Sequence, residues 1–221
     1  MTENIIALLI FGSTIISNPM LVSPIGETLM VKNQTQEALS SVSLDLETRY
    51  ENDFVNEVFK DNILLALYYL KGEQIVKNPD WEKVRKPFEL SFELKPGEML
   101  AFHENILTEY KGKVVKTMDS RFMSDEGYRS SGFLVGDGVC HLASLMNWAA
   151  SEASLNVISK VNHNFRLIPG IDEKYGTSIR FSPLGNNSQN QNLYIENNLD
   201  QPIIFKFKID EKTLSLEIIK N

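Results

Sequence analysis

Hydrophobic and polar positions alternate most cleanly at Phe88 to Leu94, where Phe88, Leu90, Phe92 and Leu94 face one way and Glu89, Ser91 and Glu93 the other. A period of two over seven residues predicts a half-buried strand. Pro96-Gly97 follows, with Pro second and Gly third as a type II turn prefers. Met99 to Phe102 then forms the returning strand or a tight packing element. The C-terminal third carries further strand patterns at Val157–Val161, Ser178–Phe181, Leu193–Glu196, Ile203–Ile209 and Leu214–Ile219, with Asp210-Glu211-Lys212 as a hairpin connection. Upstream, Leu29, Val31, Val42, Leu44 and Leu46 suit strands joined by the polar turn Lys32-Asn33-Gln34-Thr35.

Helical periods are fewer. Asp53 can cap a helix that runs to about Leu70, with Gly72 ending it. Phe54, Val58, Leu65 and Tyr69 share related faces, and Ile63, Leu64 and Leu67 widen the stripe, as a core-packing helix requires. Trp81 to Lys86 is a short amphipathic piece stopped by Pro87. Residues 104–127 are mixed and loop-rich. After the short apolar run Phe133-Leu134-Val135 and the Gly136-Asp137-Gly138 turn, a helix runs from Cys140 to about Ala153. The fold class is α+β: an antiparallel sheet packed with a Cys-bearing helix, and a β-rich C-terminal half. Three segments follow, with 1–20 a signal or membrane-targeting segment, 21–87 N-terminal strands and a helix, and 88–221 the domain that carries the candidate chemistry.

Composition narrows the class. With 221 residues, 43% apolar and 23% charged, the chain is an ordinary globular one. Its net charge of −7 argues against a nucleic-acid partner, which needs a basic face. Ile5 to Ser17 is an apolar run of signal-peptide length, too short for a comfortable membrane span. No Lys or Arg precedes it, and Glu3 is wrong for a basic leader. The segment therefore reads either as a secretory element, with membrane association through the N-terminus, or as a buried strand or helix.

The candidate chemistry centres on Cys140, the single cysteine. A helix N-terminus favours thiolate over thiol, and a histidine on a following strand can serve as its base. His163 fills that place: a strand from Lys160 to Phe165 would return antiparallel toward the helix start. The structural alternative is a small buried thiol at a turn and a strand histidine bonded to a loop. Asp137, three residues before Cys140, would raise the thiol pKa unless it points away. His141 lies one helical residue on and faces away by about 100°, so it lines a wall or binds substrate. Three histidines and a thiol could bind zinc, but no spacing supports a metal site, so none is predicted, nor any cofactor.

Several of these segments together resemble the VanW family. They are Pro96-Gly97-Glu98-Met99-Leu100-Ala101-Phe102, Gly127-Tyr128, Gly136-Asp137-Gly138-Val139-Cys140-His141, His163, Gly170-Ile171-Asp172, and Asn192-Leu193-Tyr194-Ile195-Glu196-Asn197-Asn198. Their order is kept from about residue 88 onward. Asp137 replaces a glycine, and His141 stands where the family usually has Gln. The Cys/His segment also shows a looser likeness to papain-like and transglutaminase-like cores. The resemblance implies a cell-envelope or secreted protein, with a cytoplasmic one as the alternative. The family's name comes from an accessory protein of vancomycin-resistance clusters.

Two functions remain open. One is a cysteine-dependent acyl transferase or hydrolase acting on cell-wall peptide or a small amide. In it Cys140 is the nucleophile, His163 the base and Asp172, matching the family's Gly-x-Asp, the orienting carboxylate. Gly136, Asp137, Gly138, His141 and His103 would then bind substrate. The other is a non-catalytic envelope module that binds cell-wall peptide or a protein in the same cleft.

Overall fold

A computed structural model describes residues 37–73, 77–132, 135–184 and 187–221. The apolar run Ile5–Ser17, the strand positions Leu29 and Val31, the turn 32–35, and Phe133 and Leu134 lie outside the described residues. The described residues fall in one compact unit.

The elements are β1 (Ala38–Asp45), α1 (Asp53–Lys71), α2 (Trp81–Val84), β2 (Phe88–Leu94), β3 (Met99–Ala101), β4 (Val114–Lys116), α3 (Val139–Glu152), β5 (Asn156–Ser159), β6 (Leu193–Glu196), β7 (Ile203–Ile209) and β8 (Thr213–Lys220). They build two four-stranded sheets, ordered β1-β8-β7-β2 and β4-β3-β6-β5. The first is wholly antiparallel. The second is mixed, because β3 pairs parallel with β4 and antiparallel with β6. This is the expected α+β class with a strand-rich C-terminal half.

Period-two patterning decides the first sheet. Ile203, Phe205, Phe207 and Ile209 of β7 and Leu214, Leu216 and Ile218 of β8 all turn inward and are buried. Lys206 and Lys208 point out to solvent. Across the β2–β7 pair, Phe92 and Phe205 stack with ring centroids 4.9 Å apart. Cross-strand aromatic pairs of this kind fix register as well as burying area.

Three expectations change on contact with the structure. β3 does not return along β2. The type II turn, with Gly97 at φ 78° and Glu98 N donating to Lys95 O at 3.0 Å, instead passes the chain into the other sheet. Residues 178–181 form an extended wall rather than a strand, since their amides reach Val161 O, Cys140 Sγ and Gln191 O in turn. The cap of α1 is Asn52, whose Oδ1 accepts from Phe54 N and Val55 N, with Asp53 inside the first turn. Gly72, at φ 91°, ends that helix as expected.

α1 is enclosed from Asp61 to Leu70. Its apolar run is a core helix, and among the described residues no helix is long and apolar enough to cross a membrane. The one charge in that buried stretch, Asp61, is fully buried and receives both Arg85 (Nε to Oδ1 2.7 Å) and Arg129. Glu57 accepts from the same two guanidinium groups. A buried carboxylate is tolerable only when paired and hydrogen-bonded in this way. α3 packs against α1 and against strands of both sheets.

His103 belongs to this framework. It is fully buried after β3, its Nε2 3.1 Å from Gln191 O and its ring edge-on to Phe181 at 5.7 Å. Burial pushes its pKa from 6.5 down to about 4. Between those values the unfolded chain takes up a proton that the folded ring refuses, so stability is lost as pH falls through that window. Over the full interval the loss is about 3 kcal/mol. Urea titrations at pH 7, 5.5 and 4.5 should show His103→Gln with a shallower fall in stability than wild type. An unchanged slope would place the titration elsewhere.

Candidate functional site

The helix that carries Cys140 starts where it does because of α1. Fully buried Asn62 donates from Nδ2 to Arg129 O (3.0 Å) and Asp137 O (2.8 Å), while its Oδ1 accepts from Arg129 N (2.8 Å). One amide thereby clamps both ends of the 129–137 loop. Asp137 turns its carboxylate back into that loop, where Oδ2 accepts from Ser131 N (2.8 Å) and Ser131 Oγ (2.7 Å). Gly138 follows at φ 102° and begins α3 with no side-chain cap. A Cβ there would lie 2.7 Å from Phe59 O, so only glycine lets the two helices meet. Gly136, at φ 84°, is confined by Phe122 and Val139. These glycines serve backbone geometry and helix contact first.

Beyond the helix start opens a cavity of about 1540 Å³. Gly136, Asp137, Gly138, Cys140, His141 and His163 all line it. His103 and Asp172 do not. His103 stands behind Phe122 and Phe181, which form part of the wall. Asp172 is an exposed cap, its Oδ1 accepting from Lys174 N at 3.0 Å.

The sulfur of Cys140 is engaged on both sides by one peptide segment. Ile179 N donates to Sγ at 3.4 Å, and the thiol faces Ile179 O at 3.7 Å. Burial, reinforced by the Asp137 charge, pushes the thiol up to about 11. The partial positive charge of the helix end is outweighed. No hydrogen bond among the described residues joins Cys140 to a histidine.

The histidines meet each other instead. His163 sits in the loop after β5 rather than on a strand, yet the α3–β5 return still brings it to the cavity. Its ring lies perpendicular to that of His141 with centroids 6.1 Å apart, and 4.3 Å from Phe165. His141 lies against Phe59 at 4.8 Å, with its Nε2 3.3 Å from Tyr50 Oη. Neither Nδ1 has a hydrogen-bond partner. Burial pushes both rings below the ordinary histidine pKa, that of His141 strongly, helped by Arg49, His163 and Arg166.

Sequence reasoning missed Arg49, Tyr50, Arg166 and Arg180, all of which line the cavity. Arg49 is buried, with Nη1 on Asp45 O (3.3 Å), Nη2 on Pro169 O (3.0 Å) and Nε unbonded. Arg166 lies 4.8 Å over the ring of Tyr50. Arg166 stands three residues after His163, and that proximity was the available signal; nothing local marked Arg49-Tyr50, which arrive from the end of β1.

Substituting alanine at two glycines separates strain from collision. Gly72→Ala, with open space around it, should cost about 1 kcal/mol for the left-handed backbone alone. Gly138→Ala must also displace the Phe59 backbone and should cost at least about 2 kcal/mol more, read as a shift in urea midpoint. Equal costs would mean that α1 and α3 separate freely.

Comparison with known proteins adds one positive finding. No curated protein and no solved structure matches the chain. The family model described as "VanW like protein" matches residues 93–219, a span that begins in β2, contains all of α3 and ends in β8. That span is more than half of the sequence, and the chain belongs to the VanW-like family.

Proposed function

We propose that this VanW-like protein is a ligand-binding module of the cell envelope, whose cavity takes cell-wall peptide or a related amide. The observation that carries this reading is the state of Cys140. Its sulfur is held by Ile179 on both sides, and its thiol is pushed up to about 11. A nucleophilic cysteine needs the opposite, a thiolate near neutral pH with a base in contact. A large, partly apolar concavity with a few convergent polar groups suits binding. The envelope setting and the cell-wall ligand rest on the family's association with vancomycin resistance.

The second reading keeps Cys140 as the nucleophile of an acyl transferase or hydrolase. The gathering of Cys140, His141 and His163 on one cavity favours it. It requires a ligand-driven rearrangement that frees the sulfur from Ile179 and brings His163 to it, as catalytic contacts can tighten on binding. Cys140 and His163 would then be essential and His141 supportive, while Asp172 would need to move far from its present role as a turn cap.

Thiol alkylation across pH separates the two. From pH 6 to 10 the resting protein should label with an apparent pKa above that of a free cysteine. At pH 8 the rate should be on the order of a hundredfold below a free thiol, as a rise from 9.0 to about 11 dictates. Wild type and Cys140→Ser should co-sediment with isolated cell-wall sacculi equally well. Release of soluble amine from sacculi by wild type, abolished in both Cys140→Ser and His163→Ala, would replace the binding reading with the enzymatic one.

A further inference from the structure

In a chain of net charge −7, cationic groups collect in one cavity. Arg49, Arg121, Arg166 and Arg180 all line it. Arg121 is satisfied by Asp125 and Glu126. Among the described residues no ion pair is formed by Arg49, Arg166 or Arg180. Of the carboxylates on the same walls, Asp137 is turned into its own loop by Ser131, and Glu51 is exposed at the rim. The residues that act electrostatically on His141 are Arg49, His163 and Arg166, all cationic or able to become so, and no carboxylate is among them.

Polar nitrogens without partners lie in the same place. Arg49 is 8% exposed, His141 3% and His163 7%, and each carries a buried nitrogen with no partner: Arg49 Nε, His141 Nδ1 and His163 Nδ1. Buried polar atoms are almost always paired, so three orphans on one cavity call for an explanation. Tyr50 supplies part of one. When its hydroxyl donates to His141 Nε2, the imidazole proton resides on Nδ1, which is then a donor with nothing to donate to. The uncapped N-terminus of α3 adds its dipole on the same side.

We infer that the cavity is a receptor for an oxyanion, a carboxylate or phosphate group, held by Arg49, Arg166 and the Nδ1 donor of His141, with His163 beside it and Arg180 on the same walls. Binding completes the hydrogen bonds that the protein leaves open and neutralises a cluster of like charge. The exposed side chains of Met123, Val135 and Phe165 on the same walls offer apolar contact to whatever carries the anion. A peptide with a free C-terminal carboxylate has that combination. A phosphate-bearing polymer offers the same anion from a second source. The inference rests on the proposal that this cavity binds a ligand, and it adds the ligand's charge.

Calorimetric titration of the full chain tests it with three probes: an N-acetylated dipeptide with free carboxylate, its C-terminal amide, and inorganic phosphate. The carboxylate should bind at least about tenfold more tightly than the amide, as loss of a charge-assisted contact implies. Arg166→Gln, at an exposed side chain that lies over the Tyr50 ring, should remove that advantage without disturbing the fold. Arg49→Gln should do the same; because Arg49 also ties Asp45 to Pro169, Arg166→Gln is the deciding variant. Phosphate binding without carboxylate binding would keep the anion site and assign the second source. Equal binding of acid and amide, unaffected by either substitution, would overturn the anion site while leaving a ligand cavity in place. If sacculi are retained but none of the three probes binds at millimolar concentration, the anion site is overturned on its own.

Discussion

Everything in the cavity depends on one turn of α1 meeting the start of α3. Phe59 offers its backbone to Gly138 so closely that no side chain fits between them. Three residues on, Asn62 holds three backbone groups of the loop that leads into α3. Between them, Asp61 draws in Arg129 and Arg85 and thereby ties the loop's other end to α2. The interaction is polar and buried, so it works only when complete: removing either partner leaves charges or amides stranded away from water. A helix start held this firmly puts Cys140 and His141 in fixed positions, and the sulfur's two contacts with Ile179 fix the opposite wall in turn.

The matched family segment and the cavity do not coincide. Residues 93–219 supply α3, the His163 loop and the 178–181 wall, whereas Arg49, Tyr50 and Phe59 come from upstream of the match. Several motif residues of the segment are structural. Asn197 donates to Leu94 O and Gln201 O and exchanges backbone bonds with Gly97 and Glu98. The Asn192 side chain accepts from His103 N and donates to His103 O and Asn105 O. Asn197 stitches the turn after β2 to the end of β6, and Asn192 stitches the segment after β3 to its start. The resemblance therefore reports the joint between two sheets at least as much as a chemical site.

What the amino-acid pattern made legible follows from range. β2 and β7 were bounded correctly because inward residues recur every second position, and Gly72 marks the end of α1 and Gly138 the start of α3 to within a residue. The partner of β3 was left open between a return along β2 and a packing element because pairing is non-local: a type II turn can send the chain along its own strand or across to another sheet. The 178–181 segment alternates like a strand, but one of its amides goes to a sulfur rather than a ladder. The membership of Cys140, His141 and His163 in one cavity was within reach, since a short helix and its return connection bring them together. Their mutual contacts were not, because the ring positions are set by Tyr50 and Phe59, far away in sequence. Nor was the thiol's environment, since burial and the Asp137 charge outweigh the helix end.

The placement of β1 has a consequence for the order in which the protein acquires structure. β1 closes the edge of the first sheet by pairing, residue for residue from Ser40 to Asp45, with β8, and Lys220 N reaches Glu37 O. These partners are separated by nearly all of the described sequence. Closing so long a loop is entropically costly before any contact repays it, and topologies rich in such pairings fold slowly. During synthesis the hydrogen-bonding edge of β1 stays without its partner strand until β8 emerges. A chain built this way has its most aggregation-prone interval while it is still incomplete, and chaperone protection would matter most then.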